Sequence, residues 1–473
     1  MDNSVVKESL ITCYTSQGIE LRATMLRLTR YLAVFELYNP ASVLLASEVL
    51  NEFKILVKHR IVYSGRAIVR HLVNTGLTLV CEASLEDFWL EGDFLPNQNQ
   101  GPKLRDECAE FFQEWAKLYR VSPEYKLIIA DMQSFFMELR LWLNQVELGI
   151  RSTPSGDRFQ LEQDVIKELE QPIIPIINGL FEKFETVAEG IEAGLLPVHM
   201  SYMKRQLHPL LLCSPFAYRT YSKPLGFAGD YEMVNMLVRN AYEGSSLFAK
   251  IVNLWFLVQP PAKAHRNRID YLVQKLVEET VRVASAGRPA RVFSLACGPA
   301  IEIQRFLAEK EICEHAHLSL LDFNEETLQH TSAKLGEIKA KSKRSTPLQF
   351  IKKSVHQILK ETGKTIERSA ENQYDLIYCT GLFDYLSDQV CQRLMTAFYQ
   401  WLAPGGLLFA TNLDPSNPLR HGMEHLLDWN LIYRTARQAQ ELRPRGIRVE
   451  DFSVRSDITG VNLFLEARRP HNA

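Results

Sequence analysis

The chain has 473 residues, of which 46% are hydrophobic, and 54 basic against 56 acidic side chains leave a formal net charge of −2. That length predicts two or three domains, and the near-balance of charge excludes a global electrostatic pull toward nucleic acid. Eight scattered cysteines without a CxxC pair or metal-ligand spacing, no apolar run of membrane-spanning length and no basic-then-apolar leader in MDNSVVKESLITCY together predict a soluble cytoplasmic protein.

From Leu10 to Glu82 the pattern is mostly β. Short runs with alternation or β-branched content lie at Leu10–Tyr14, Tyr31–Tyr38, Phe53–Val57 and Ala67–Val73, punctuated by Gly18, Asn39-Pro40, Ser64-Gly65 and Thr75-Gly76. Residues 1–90 are therefore expected to form a small β-rich barrel. The stretch YSGRAIVRHLVNTGLTL (Tyr63 to Leu79) faintly resembles a PilZ-type barrel, a family that often binds cyclic di-GMP. The D-x-S-x-x-G of that family falls on His71, Val73 and Gly76, so only the glycine survives, and the nearest R-x-x-x-R pair, Arg66 and Arg70, abuts that element instead of preceding it. A structural or dimerising barrel is the plainer expectation.

Glu91 to Gly101 is polar and turn-prone, the first predicted linker. Over 102–279 a helical substrate-binding or lid region is expected. Leu104–Tyr119, Pro123–Ile150 and Phe159–Ala193 carry apolar residues at three- and four-residue spacing, with stripes at Phe111, Phe112, Trp115 and Leu118 and at Phe135, Phe136, Leu139, Trp142 and Leu143. The segment PFAYRTYSKPLGFAGDYEMVNMLVR (Pro215 to Arg239) mixes glycines, aromatics and charges. It suits a loop closing over a ligand, with Tyr218, Tyr221, Asp230 and Tyr231 as substrate-facing candidates, or an ordinary connection. KAHRNR (Lys263 to Arg268) opens the helix into the last domain.

Within 280–473, Arg291 to Asp322 has the order strand, tight turn, helix, strand. Arg291–Leu295 is apolar, Ala296-Cys297-Gly298-Pro299-Ala300 turns, Ile301–Lys310 has helical spacing, and Leu318–Leu321 ends on Asp322. This is half of a nucleotide-binding βαβ unit, in which a glycine lets backbone approach a ligand and a carboxylate accepts hydrogen bonds from both ribose hydroxyls. Further strands are expected at Leu348–Ile351, Tyr374–Cys379 and, after LAPGG (Leu402 to Gly406), at Leu407–Asn412.

Together these pieces resemble the class I S-adenosylmethionine-dependent methyltransferases, over roughly Thr280 to Arg469. The resemblance implies an α/β Rossmann-like domain with S-adenosyl-L-methionine as cofactor. It places the cofactor at Ala296, Cys297, Gly298, Pro299, Asp322, Phe323, Ser354, Val355, Thr380 and Gly381. Here Ala296 and Ala300 replace the flanking glycines of the turn, and Ser294 replaces its usual acid. The elements SKPLGFAGDYEMVN, TGLFDYLSD and NLDPSNPLRHGMEHLLDWNLIYRT resemble more narrowly a bacterial subgroup that makes 3-hydroxy fatty acid methyl esters, quorum-sensing signals. That implies methyl transfer to the carboxylate of a small hydrophobic acid.

A carboxylate acceptor is already ionised at neutral pH and needs no base, whereas an amine or alcohol usually does. Asp384, Tyr385 and Glu424 are the catalytic candidates, with capping of a helix an equal account of Asp384. Asn412 and Arg434 are further candidates for the substrate. His421 and His425 share a helical spacing but lack a third ligand, so no metal is expected. Leu426, Leu427, Trp429, Leu431, Ile432 and Tyr433 would make an apolar cap or a homodimer face. N- or O-methylation of another small molecule is the rival reaction. A non-catalytic regulator binding S-adenosylmethionine or a cyclic dinucleotide is the rival class.

Overall fold

The computed structural model describes residues 9–29, 31–37, 44–57, 60–74, 78–85, 120–154, 156–239, 242–362 and 373–471, with Arg105, Ala109 and Phe112. Six antiparallel strands close into a barrel: β1 (Ser9–Tyr14), β2 (Glu20–Leu28), β3 (Leu32–Leu37), β4 (Val49–Val57), β5 (Arg60–Asn74) and β6 (Leu79–Leu85). Their spatial order is β1-β2-β3-β6-β5-β4, and β4 pairs back onto β1. Alternation fills the interior: Leu79, Cys81, Ala83 and Leu85 of β6 are buried while Val80, Glu82 and Ser84 between them are partly exposed. Phe35, Phe53 and Tyr63 meet at the centre, with ring centroids 5.6 and 6.2 Å apart. The expected runs fall on β1, β3, β4 and β5, whereas β2 and β6 lie outside them. Gly76, the predicted linker at Glu91–Gly101 and most of the helix expected at Leu104–Tyr119 lie outside the described residues.

Long helices follow at Pro123–Arg151 and Arg158–Glu189. The hydroxyl of Ser122 accepts from the Tyr125 N–H at 3.2 Å and Pro123 occupies the first turn, which fixes the start of the first helix. Phe136, Leu139 and Leu143 are buried on its inner face, but Trp142 is 47% exposed, so the apolar stripe is narrower than its sequence suggests. Shorter helices at Leu196–Leu211, Pro215–Ser222, Tyr231–Arg239 and Leu247–Val258 complete this layer, and the helix Pro260–Ala284 leads into the sheet.

That sheet has seven strands: β7 (Ala290–Leu295), β8 (Ala316–Asp322), β9 (Leu348–Lys352), β10 (Tyr374–Cys379), β11 (Leu402–Leu413), β12 (Phe452–Ser456) and β13 (Asn462–Arg468). The order is β12-β13-β11-β10-β7-β8-β9, with β7 to β11 parallel to one another and β13 antiparallel to both β11 and β12. The chain moves outward from β7 through β8 to β9, then returns to place β10 on the other side of β7. This reversal opens a crevice at the carboxyl ends of β7 and β10, where open α/β sheets bind ligands. The LAPGG stretch lies inside β11, where the pairing with β10 shifts register. Among the described residues, no helix is long and apolar enough to cross a membrane.

The barrel is seated on this core by Leu44 to Glu48, all buried. Ala46 N–H donates to the Tyr385 carbonyl at 3.2 Å. Ser47 donates its hydroxyl to the Asp428 carbonyl at 3.1 Å and accepts from the Asn430 N–H at 2.6 Å. Glu48 ties the stretch together, accepting from Leu45 N–H and from both the N–H and hydroxyl of Ser16.

Candidate active site

The turn after β7 keeps a glycine-type path with one glycine. Ala296, Gly298 and Ala300 have φ of +52°, +51° and +50°. A left-handed alanine costs about 1–2 kcal/mol, and such strain concentrates where a backbone must meet a ligand. The path is held by the Cys297 N–H donating to Leu321 O at 3.0 Å and by Thr331 donating to Gly298 O at 2.7 Å. A Cβ on Gly298 would meet nothing within 4 Å, so the turn faces open space.

Asp322 ends β8 beside this turn, its carboxylate accepting from Gly298 N–H at 3.2 Å and Asn324 N–H at 3.0 Å. Burial pushes its pKa up, and the backbone N–H groups of Asn324, Gly298 and Phe323 oppose that. The glycine turn and the acid expected to meet a nucleotide are thus adjacent. Phe227 packs on Phe323 at 5.5 Å, closing this side.

The crevice is lined by Ala296, Cys297, Gly298, Pro299, Thr380, Gly381, Asp384 and Tyr385 among the expected residues. Four more come from one face of the helix Pro260–Ala284: His265, Arg268, Ile269 and Leu272. Arg268 is 7% exposed, and a Cβ on Gly381 would lie 3.1 Å from its Nη1. Among the described residues, none accepts a hydrogen bond from this guanidinium, although Asp384 and Glu302 lie within its electrostatic reach. A buried arginine facing a void with its donors unspent is suited to a carboxylate. Glu302, also on the lining, accepts from the Tyr378 hydroxyl at 2.8 Å and has its pKa raised by burial.

His265 stands where the crevice meets a second cavity. Its Nδ1 is 3.2 Å from the Pro261 carbonyl and so carries the proton, which leaves Nε2 an acceptor. Burial, then Arg268, pushes its pKa down to about 3, so it is neutral at physiological pH. The adjoining cavity is a slot of about 50 Å³ walled by Phe181, Phe216, Trp255, Met423 and Leu426, and it shares His265, Leu413 and Trp429 with the crevice. Leu426, Leu427 and Trp429 are buried against it, while Leu431, Ile432 and Tyr433 are half-buried. The crevice itself has about 80 Å³ free, so admitting a nucleoside requires the covering segment around Gly229 to move.

Asp384 stays inside: its carboxylate accepts from Leu413 N–H at 2.7 Å, and burial raises its pKa to about 6 against that bond and the charges of Arg268 and Arg434. Tyr385 accepts from the Trp429 indole, and burial raises its pKa.

Asp322 and Phe323 lie beside the turn but do not line the crevice, and the other expected residues are not brought to it either. Ser354 and Gln357 cap the helix Val355–Thr362, so neither Ser354 nor Val355 lines the space. Glu424 pairs with Arg420 at 3.1 Å. Tyr218 is 59% exposed, and Tyr221 packs on His208 at 4.4 Å beside a different cavity. Asp230 binds Arg219 and caps Met233, while Tyr231 donates to Glu326 at 2.9 Å. Arg434 is buried in a frame with Asp388, Asn412 and the carbonyls of Phe383 and Leu386. Asn412 in turn donates to Leu413 O and Ile432 O. Among the described residues, no group of three acidic, His or Cys side chains could hold a metal.

No protein-family model matches the chain, and no curated protein does. Solved structures share part of it. One is a Bordetella parapertussis protein described as a possible exported protein, 18% identical, with a TM-score of 0.38, covering 54% of this chain and 86% of that one. Magnesium protoporphyrin IX methyltransferase from Synechocystis PCC 6803 with bound SAH is 13% identical, with a TM-score of 0.32, covering 44% and 84%. N-methyltransferase NodS from Bradyrhizobium japonicum WM9 is 13% identical, with a TM-score of 0.28, covering 44% and 97%. Scores this low say nothing of the reaction this chain performs.

Proposed function

We propose that this protein transfers a methyl group from S-adenosylmethionine to the carboxylate of a slender hydrophobic acid, a 3-hydroxy fatty acid being the preferred example. The observation that carries this reading is a crevice of mixed polarity at the sheet reversal that shares the walls His265, Leu413 and Trp429 with an almost wholly apolar cavity. The residues of the crevice, with Asp322 behind its turn, suit the donor part by part. Asp322 would take the ribose hydroxyls, the open turn at Gly298 would take backbone-close atoms, Arg268 the carboxylate and Glu302 the ammonium of the amino-acid end. When bound, the donor supplies an electrophilic methyl on a sulfonium.

What the chain contributes is alignment and exclusion of water, which suffice for much of an in-line displacement. An acceptor carboxylate with a pKa of about 4 arrives ionised. The slot's roughly 50 Å³ suits an alkyl chain better than fused rings. A second reading has its own support: neutral His265, with Nε2 an acceptor, would take a hydrogen bond from a hydroxyl or amine acceptor and orient it.

Both are tested by incubating the protein with methyl-labelled S-adenosylmethionine and a panel of straight-chain and 3-hydroxy acids, amines and phenols, then locating the label by mass spectrometry. Labelled methyl esters are the expected product. Label on oxygen or nitrogen of a neutral acceptor selects the second reading, and absence of any donor binding rejects both.

A further inference from the structure

A third cavity lies between the barrel and the helix Leu196–Leu211, and with about 390 Å³ it is several times roomier than the 80 Å³ crevice. It shares no lining residue with the crevice. Three of its lining side chains are strong cations: Arg70 from β5, and Lys204 and Arg205 from the helix. Asp428 is the only acid among the described residues that line it. That acid is already engaged, since Lys204 reaches its two oxygens at 3.1 and 2.9 Å. Burial pushes the Asp428 pKa up, but Lys204 and Lys223 together bring it below its ordinary value, so it stays charged and holds Lys204.

Arg70 is different. It is 5% exposed, its Nε has no hydrogen-bond partner, and Glu82 approaches its Nη1 only to 3.8 Å. A buried guanidinium rarely leaves a donor unused, because the desolvated N–H costs about 1–3 kcal/mol. Arg70 lines the open space with its charge faced only by the distant Glu82, which leaves room there for an anion the protein does not supply. Arg205, on the outer side, spends one bond on Ser201 and is otherwise exposed.

Two arginines beyond the neutralised Lys204–Asp428 pair match a phosphate monoester dianion better than a single carboxylate, and the guanidinium fork fits phosphate oxygens. The remaining wall is aromatic and apolar, with Tyr31, Tyr221, Leu85 and Met200, and Tyr221 is held edge to face by His208 at 4.4 Å. The volume exceeds what inorganic phosphate fills and falls in the range of small-ligand sites.

We propose that this cavity binds a phosphorylated small molecule of mononucleotide size, with its phosphate on Arg70 and Arg205 and its ring against Tyr221. The site is separate from the methyl-transfer crevice and stands or falls apart from it. Calorimetric titration of the full chain with the 5′-monophosphates of guanosine and uridine, with the unphosphorylated nucleosides and with inorganic phosphate tests it. At least one monophosphate binds, its nucleoside does not, and Arg70→Gln and Arg205→Gln each weaken binding by about tenfold or more, the cost of one charge-assisted contact. Arg205 is exposed, so its replacement leaves the barrel intact and keeps the test decisive where Arg70→Gln fails to fold. Lack of binding by both monophosphates up to about 1 mM, unchanged affinity in Arg205→Gln, or inorganic phosphate binding as tightly as the monophosphates overturns the proposal.

Discussion

The indole N–H of Trp429 donates to the phenol oxygen of Tyr385 at 2.9 Å, and both rings line the crevice. The backbone carbonyl of the same tyrosine accepts from Ala46 of the barrel stretch, and a Cβ on Gly229 would lie 2.9 Å from its phenol oxygen. Gly229→Ala therefore forces the phenol off the indole or lifts the covering segment. We expect a loss of about 1–3 kcal/mol in urea unfolding, the cost of overpacking or of leaving the buried indole donor unpaired. Wild-type stability in this variant would mean the segment is not seated on Tyr385.

Asp322 tests the donor site. Asp322→Ala removes a carboxylate that serves both the turn and the expected ribose. S-adenosylhomocysteine affinity, measured by calorimetry, should fall about a hundredfold, or roughly 3 kcal/mol for a charged hydrogen-bonding pair. Asp322→Asn, which keeps one acceptor for Gly298, should lose affinity with less loss of stability. Unchanged affinity in both variants rejects the ribose assignment.

Arg268 makes a sharper distinction. 5′-Methylthioadenosine lacks the amino-acid end that Arg268 would hold. Arg268→Met should weaken S-adenosylhomocysteine by about tenfold to a hundredfold while leaving methylthioadenosine unchanged. The second ligand also reports that the variant is folded. Equal loss for both ligands would assign Arg268 to the scaffold.

Asp384 gives a pH signature. Its pKa rises from 3.8 to about 6 on folding, so the folded state binds the proton more tightly than the unfolded chain. The stability this contributes is fully present below about pH 4, is lost as pH rises through 6, and is flat beyond. The total is on the order of 3 kcal/mol at about 1.4 kcal/mol per pKa unit. Urea titrations between pH 4 and 8 should show this slope in the wild type and its absence in Asp384→Asn.

The sheet was legible because its evidence is local. Turn residues 296–300, the acid after β8 and the apolar run of β10 each sit within a few residues of the feature they specify. The barrel was half legible: β1, β3, β4 and β5 fall on expected runs, whereas Arg22 and Arg27 blur the pattern of β2, and β6 lies outside the expected runs although LVCEASL alternates. His265 and Arg268 were hidden in a charge run that reads as the start of a helix. The available signal was their spacing with Ile269 and Leu272, at i, i+3, i+4 and i+7, which puts two polar side chains on a buried face. Asp230 and Arg434 were misleading because their partners, Arg219 and Asp388, use up the groups that make them attractive as ligand contacts. Tyr221 turned to a cavity that only the docking of barrel and helix creates.

Ser47 and Asp428 are 381 residues apart in the chain yet share a hydrogen bond. During synthesis at about 5–20 residues per second, Ser47 waits on the order of 20–80 s for that partner. Leu44 enters the barrel core, but Leu45 packs with the later part of the chain and until then is open to chaperones or to a neighbouring nascent chain. Slowing translation between the codons for Ser47 and Asp428 should therefore lower the yield of folded protein more than the same delay placed after the last strand.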